Sequence, residues 1–510
     1  MFRGKQVFWV GLILFVGTLT LLAFSMGRIG ITWDEPLYIT SGMVYLDWAF
    51  AEKPFRRETL ADYWLKEYAH PPLGKLWYGL LARISGGDFF NNLWGARFGA
   101  GLAFAAFVAL IFWFVQKSAG LFAGLLSSLI FLFLPRVFLD GQLAALDMPM
   151  AFAWFATAGA FFLGMERKGY AFLSGIFFGL ALLVKVNAFF LPVVLWPWGL
   201  IFYRRKALWP ILWMLILGPI LFVGLWPRMW LGPWEILHGY IQDKLQRKIV
   251  TCYYLGRVYS ENYPPWHYPF VLTVATVPAG ILGGLVVGIS RIFRFEKGAR
   301  RLAQFSLWNL AAILAIQSLP GTPRYDGVRL FLNAFPFLSI LGALGLEWIW
   351  RRISGRRKST LALAGVGLVF LVSQFAPAIL SFPYNLSYYS ASVGWAVGAK
   401  RLGFESAYWG EAFNGKIFSY LNEHVPDGGK VSFRAVAHWN LPIYDHLVRE
   451  DITVLRPGDL RKPDFIVMQV RQGQFSEEDW ELYRNEKPVF GNYVFFGQVP
   501  VCLIFDRRGK

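Results

Sequence analysis

The sequence predicts a polytopic α-helical membrane protein, and three observations carry that prediction. Of the 510 residues, 56% are hydrophobic and only 16% are charged, with a mean hydropathy of +0.43; a soluble domain of that length needs more polar surface. Apolar stretches long enough to cross a bilayer recur until about residue 380. Basic residues gather in every second connection between them, the pattern that cytoplasmic loops show.

The chain opens with Met1-Phe-Arg-Gly-Lys5 ahead of an apolar run from Val7 to about Met26. No small-x-small cleavage site interrupts it, so it reads as an uncleaved first span rather than a removed signal peptide. Further spans are expected near 93–115, 119–139, 148–165, 170–186, 187–203, 208–227, 268–290, 303–320, 328–350 and 360–380, about eleven in all. Arg3 and Lys5, Lys117, Arg167-Lys168, Arg204-Arg205-Lys206, the Arg291–Arg301 cluster and Arg351–Lys358 mark the cytoplasmic side. Residues 28–92, 140–147, 228–267 and 321–327 then lie outside, together with the tail 381–510. Two domains follow: a transmembrane domain over 1–380 with an outer loop at 28–92, and an extracytoplasmic α/β domain over 381–510.

In that tail, Trp409–His424 has helical periodicity, with Phe413, Ile417, Phe418 and Leu421 on one face, and Pro426-Asp-Gly-Gly429 closes it. Phe465–Val470, Tyr493–Phe496 and Val501–Phe505 read as strands, and Glu477–Arg484 as a helix between them. The net charge of +18 is explained largely by the topology signal and by attraction to anionic membrane lipids, so nucleic acid is not an expected partner. Cys252 and Cys502 make no metal spacing and no disulfide framework, and are expected as separate buried thiols.

The outer loops hold the residues able to do chemistry. Ile31-Thr-Trp-Asp34-Glu35-Pro36 places paired carboxylates where the first span leaves the membrane, a costly position that calls for a partner or a task. Asp34 ahead of Pro36 also suits a helix cap. His70-Pro-Pro-Leu-Gly-Lys75 and Arg97 in Trp94-Gly-Ala-Arg97 follow on the same side. Each of the two cations either snorkels to headgroups or joins the carboxylates. Asp147 precedes a span and either caps it or adds a second carboxylate. Lys185 is expected at the outer end of its span, where it either pairs with a carboxylate or contacts a donor. Arg329 stands in the turn Pro320-Gly-Thr-Pro-Arg324-Tyr-Asp326-Gly-Val-Arg329, within reach of a phosphate. Such a set suits attack of an acceptor hydroxyl on a sugar with loss of a phosphate: the carboxylate takes the proton and the cations hold the anion. The histidines show no ligand spacing and the first loop has no Asp-x-Asp, so neither a metal nor another cofactor is expected.

Taken together, Asp34-Glu35, His70-Pro-Pro-Leu-Gly-Lys75, Arg97 and Asp147 resemble the protein O-mannosyltransferases of glycosyltransferase family 39 and their bacterial relatives, the aminoarabinose transferases of lipid A. Tyr263-Pro-Pro-Trp-His-Tyr-Pro269 and the segment from Tyr388 to Gly410 are similar to bacterial members. The resemblance covers residues 1 to about 425. It implies the GT-C fold and an inverting transfer from a polyprenyl-phosphate-linked sugar, usually without a metal. By position it makes Asp34 the catalytic base, Glu35 its support or a contact to sugar or acceptor, and Asp147 a second acidic group. Lys75 and Arg97 would bind the donor phosphate, and by extension His70, Lys185 and Arg329 join the substrate site. The tail departs from the protein O-mannosyltransferases, which leaves a lipid, glycan or protein acceptor open. A bacterial inner membrane is expected, with the N-terminus cytoplasmic. A lipid-linked sugar flippase is the alternative; it would spread ionisable groups through the span middles, whereas here they crowd one side. A non-catalytic assembly protein working through its tail is the third reading.

Overall fold

Helices form where the long apolar runs stand, because a chain in lipid must satisfy its backbone hydrogen bonds within each segment. The computed structural model describes residues 2–65, 70–246, 249–354 and 376–509. Helix α1 (Phe2–Ser25) leads into a first loop that carries α2 (Glu35–Trp48), α3 (Arg57–Trp64) and α4 (Leu73–Ser85). The bundle continues with α5 (Phe89–Ala119), α6 (Leu121–Phe133), the short α7 (Pro135–Asp140), α8 (Asp147–Gly164) and α9 (Lys168–Leu182). Then come α10 (Leu191–Tyr203), α11 (Leu208–Gly224), α12 (Pro233–Leu245), α13 (Tyr268–Thr276), α14 (Ala279–Ser290), α15 (Lys297–Ser318) and α16 (Phe335–Ser354).

The count of about eleven spans is not confirmed among the described residues. Among the described residues, four helical runs are long and apolar enough to cross a membrane: Gly4–Arg28, Phe89–Ala119, Val186–Gly224 and Arg329–Ser354. Tyr268–Thr276 and Ala279–Ser290, bent by 118°, make a fifth if taken as one. The expected pair at 187–203 and 208–227 corresponds to α10 and α11, which the turn at Arg204–Ala207 joins within one helical run. Leu121–Phe133 and Lys168–Leu182 have 13 and 15 residues, a rise of only about 20 Å and 23 Å against a core of about 30 Å. The span expected at 360–380 lies almost wholly outside the described residues.

Helices α2 and α4 cross at two glycines. A Cβ on Gly42 would stand 1.9 Å from the Lys75 carbonyl oxygen, and one on Gly79 would stand 2.3 Å from the Gly42 carbonyl carbon. Only glycine permits backbones to meet this closely. The crossing fixes Lys75, on α4, beside the helix that Asp34 starts.

Past the bundle lies a five-stranded sheet of β3 (Lys430–Arg434), β4 (Thr453–Val454), β5 (Phe465–Gln469), β6 (Phe490–Val494) and β7 (Val499–Asp506) in the order β4-β3-β5-β7-β6; β1 (Cys252–Tyr254) and β2 (Arg257–Tyr259) form a separate hairpin. Strand β3 runs parallel to β4 and β5, whereas β7 runs antiparallel to β5 and β6. Four elements differ from the sequence reading. Strands β3 and β4 were not anticipated; β3 carries Lys430 and Arg434 among its five residues and lacks a continuous apolar run. Strand β6 ends at Val494 because Phe495 and Phe496 turn with φ of 50° and 55°. The expected Trp409–His424 helix begins only at Gly415. Upstream of it, the backbone is spent on the first loop instead: Gly30 N donates to Glu411 O at 3.1 Å, and Trp33 N to Trp409 O at 3.0 Å. Cys252 and Cys502 are buried free thiols.

The tail is therefore sewn to the outer loops, and Glu405 lies in that seam. Its buried carboxylate accepts from Gly473 N at 2.9 Å. Burial pushes this carboxyl up to about 8, against the pull of Arg471. A carboxyl raised on folding adds stability below its unfolded value and loses it as pH climbs through the folded one. We therefore expect the thermal midpoint of the purified protein to fall from about pH 5 to pH 8, and Glu405→Gln to flatten that fall.

Candidate functional site

Four segments far apart in sequence converge where the bundle meets the tail. Asp34 occupies the N-cap position of α2, yet its carboxylate makes no cap hydrogen bond. Asp147 opens α8 and is likewise not engaged in a cap. The capping alternative for both is thereby answered by their actual partners. Arg329 Nη1 donates to Asp34 Oδ2 at 3.0 Å and approaches Asp147 Oδ2 at 3.4 Å. Lys185, extended in the break between α9 and the following turn, donates to Asp147 Oδ1 at 2.6 Å.

Sequence reasoning missed the tail's contribution. Trp409 Nε1 donates to Asp34 Oδ2 at 3.2 Å, and the Arg329 guanidinium lies 4.5 Å over the Trp409 ring. Asp326 Oδ2 accepts from Arg329 Nη2 at 2.7 Å, and its other oxygen accepts from Arg471 Nη2 at 2.8 Å. Arg471 is fully buried and stacks 4.1 Å over Trp33. A signal for Trp409 existed in the Tyr388–Gly410 segment; Arg471 and Asp326 had none that separates them from ordinary loop charges. Arg324, the other arginine of that turn, donates instead to the carbonyls of Pro264, Gln317 and Leu319 and braces the loop.

The environments of the carboxylates differ. Asp34 keeps 21% of its side-chain surface exposed, against 5% for Asp147 and 3% for Asp326. Burial raises the Asp34 carboxyl above the usual range, and the neighbouring Asp147 and Asp326 add to that rise, while Arg329 opposes it. The most accessible of the three is thus also a stronger base than an ordinary aspartate.

Glu35 and Arg97 take a different place from the one expected. Glu35 is fully buried. It holds Arg97 through Nε and Nη2, both at 2.7 Å, and accepts from Thr32 N at 2.9 Å and Ala144 N at 3.1 Å. Burial alone would raise its carboxyl, but the Arg97 pair and these amides outweigh it and hold it low. The remaining Arg97 donors go to the carbonyls of Met26, Ile29 and Gly30 at 2.8, 3.0 and 2.7 Å. All the guanidinium donors are spent inside the protein, where the resemblance would turn Arg97 to a donor phosphate and make Glu35 a support of Asp34 or a contact to sugar or acceptor; in this structure the pair is a strut that shapes the first loop.

Lys75 is buried, donates to the His70 carbonyl at 3.1 Å and faces the Tyr38 and Tyr45 rings at 5.9 and 5.8 Å. His70 sits edge-on to Tyr38. Burial and the surrounding charges of Lys185, Lys244, Lys75 and Arg329 hold its imidazole well below the ordinary value, so the ring is neutral at pH 7. Its Nδ1 is buried with no hydrogen-bond partner among the described residues. His70 and Lys75 thus line the flank beside the carboxylates, where Lys185 and Arg329 are paired with Asp147, Asp34 and Asp326.

Removing one partner of the buried strut leaves an uncompensated charge. Arg97→Ala is expected to lower stability by about 3–5 kcal/mol, measured by unfolding of the purified protein. Donor affinity of the fraction that remains folded should not change; a selective loss of donor binding with stability intact would restore the phosphate role.

Residues 69–228 match the sequence family described as dolichyl-phosphate-mannose-protein mannosyltransferase. The whole chain superposes on the crystal structure of ArnT from Cupriavidus metallidurans bound to undecaprenyl phosphate, with a TM-score of 0.51 at 14% identity, over 97% of this chain and 98% of that one. The apo form of ArnT gives a TM-score of 0.51 at 15% identity, over 98% of each chain. No curated protein sequence matches the chain. By overall shape the molecule has the GT-C fold, and residues 69–228 are similar in sequence to the family described as dolichyl-phosphate-mannose-protein mannosyltransferase.

Proposed function

We propose that this protein is an integral membrane glycosyltransferase that moves a sugar from a polyprenyl-phosphate donor to an acceptor hydroxyl on the extracytoplasmic side, with inversion. The observation that carries the reading is the accessible, strengthened carboxylate of Asp34 set beside a group of cations. The undecaprenyl phosphate bound in ArnT supports the donor class.

In the proposed reaction the acceptor oxygen attacks the anomeric carbon and its proton passes to an Asp34 oxygen. The bond from that carbon to the phosphate oxygen breaks, and both electrons leave with the polyprenyl phosphate. Lys75, Lys185 and Arg329 stabilise the growing negative charge, and the His70 ring supplies a neutral hydrogen bond. Asp147 holds Lys185 and Arg329 in place through its two oxygens. No metal is needed, since side-chain cations carry the electrostatic role.

Orientation follows the charge pattern. The Arg204–Lys206 and Arg291–Arg301 segments and Lys117 sit at the helix ends remote from Asp34, Asp147 and Lys185. That arrangement supports a cytoplasmic N-terminus and an extracytoplasmic site and tail, in a bacterial inner membrane. The acceptor is a lipid, glycan or protein bearing a hydroxyl.

Two measurements test the mechanism. With a panel of polyprenyl-phosphate sugars, Asp34→Asn should cut turnover by roughly 10²–10⁴ while leaving donor binding intact; unchanged turnover rejects the mechanism. Trp409→Phe removes a hydrogen bond to the ionised base and so raises its pKa further. The acid limb of the pH–rate profile should accordingly move to higher pH, and a limb that stays put would remove Asp34 from the role of base.

A further inference from the structure

A polar cavity lies at the end of the bundle away from the carboxylates. Helix α8 starts at Asp147 and runs 18 residues, so its far end lies about 27 Å from the site along the axis. There, a cavity of about 310 Å³ opens between the α8 terminus, α10 and α15. Trp198 and Phe202 form its apolar wall, while Tyr203, Lys206, Arg301 and Gln304 bring polar groups to it. Two short segments, 204–206 and 297–301, concentrate six Lys or Arg residues around it, against Glu166 and Glu296.

The chain is shaped to hold these groups there. Arg204 turns it with φ of 51°, a left-handed conformation unusual for a side chain of that size. Arg301 lies 5.8 Å over the Tyr203 ring and touches Glu166 at 3.2 Å, an exposed pair of small energetic weight that an incoming anion can replace. Immediately beside the cavity, Ile201, Phe202, Leu208 and Trp209 are 61%, 51%, 54% and 47% exposed. In a helix pair that the bundle places in the membrane, those side chains meet hydrocarbon.

We propose that this cavity binds the headgroup phosphate of an anionic phospholipid, with its acyl chains along the exposed face of α10 and α11. Lys206 and Arg301 pair with the phosphate, Tyr203 and Gln304 donate hydrogen bonds, and the flanking apolar face receives the chains. A soluble phosphate satisfies the first set of contacts and not the second, whereas a lipid satisfies both. The site takes no part in the sugar transfer proposed above, and its test does not depend on turnover.

The experiment is native mass spectrometry of the full chain released from detergent, with phosphatidylglycerol and phosphatidylcholine competing at equal concentration. Retention of phosphatidylglycerol should exceed that of phosphatidylcholine about ten-fold, and the Lys206→Gln, Arg301→Gln double variant should lose most of that preference. Arg352→Gln, an exposed cation in the last turn of α16 and outside the cavity, should keep it. Equal retention of the two lipids by the wild type overturns the proposal, as does an undiminished preference in the double variant. Inorganic phosphate that displaces the lipid as effectively as excess phosphatidylglycerol would make this an anion site without lipid specificity, and would also overturn it. If the double variant does not fold, the wild-type competition decides by itself.

Discussion

The site depends on one guanidinium. Arg329 binds Asp34 and Asp326, approaches Asp147 and covers Trp409, so it joins the first loop, the start of α8, its own turn and the tail. Three carboxylates this close would repel one another and take up protons. Arg329, Lys185 and Arg471 supply three positive charges against Asp34, Asp147 and Asp326, which leaves the cluster neutral as a whole. Planar geometry matters as much as charge here: a guanidinium reaches several acceptors at fixed angles, where a lysine would be a single point.

Around that hub, buried polar groups divide by whether their hydrogen-bonding capacity is already used. Glu35 and Arg97 satisfy each other and the surrounding backbone completely, and so act as frame. Asp34 keeps an exposed face and His70 an unused ring nitrogen. These differences sit between adjacent residues, Asp34 and Glu35, whose sequence context is the same.

That contrast explains how much was legible from sequence. Position relative to the spans was enough to bring Asp34, Asp147, Lys185 and Arg329 to one side, because a charge at a membrane boundary is costly and reveals itself. Arg97 met the same criterion, yet only three-dimensional contacts reveal that its donors are occupied within the protein. Trp409 and Arg471 reach the site from the tail, and long-range pairing of that kind has no periodicity to read. The strands with continuous apolar runs, β5 and β7, were visible; β3 and β4, which alternate charge with burial or last two residues, were not. The shorter helices fell below membrane length because apolar composition continues through turns that break the helix.

The hydrogen bond from Trp409 to Asp34 joins residues 375 positions apart. During synthesis the first loop emerges long before the tail exists, so Asp34 waits without its tryptophan partner, and Asp326 without Arg471. Asp34 acquires its full set of partners only after the tail has been made and has folded back onto the first loop. A chain stalled before residue 409 is thereby left with an incomplete cluster, its carboxylates lacking the tryptophan and arginine that the tail supplies.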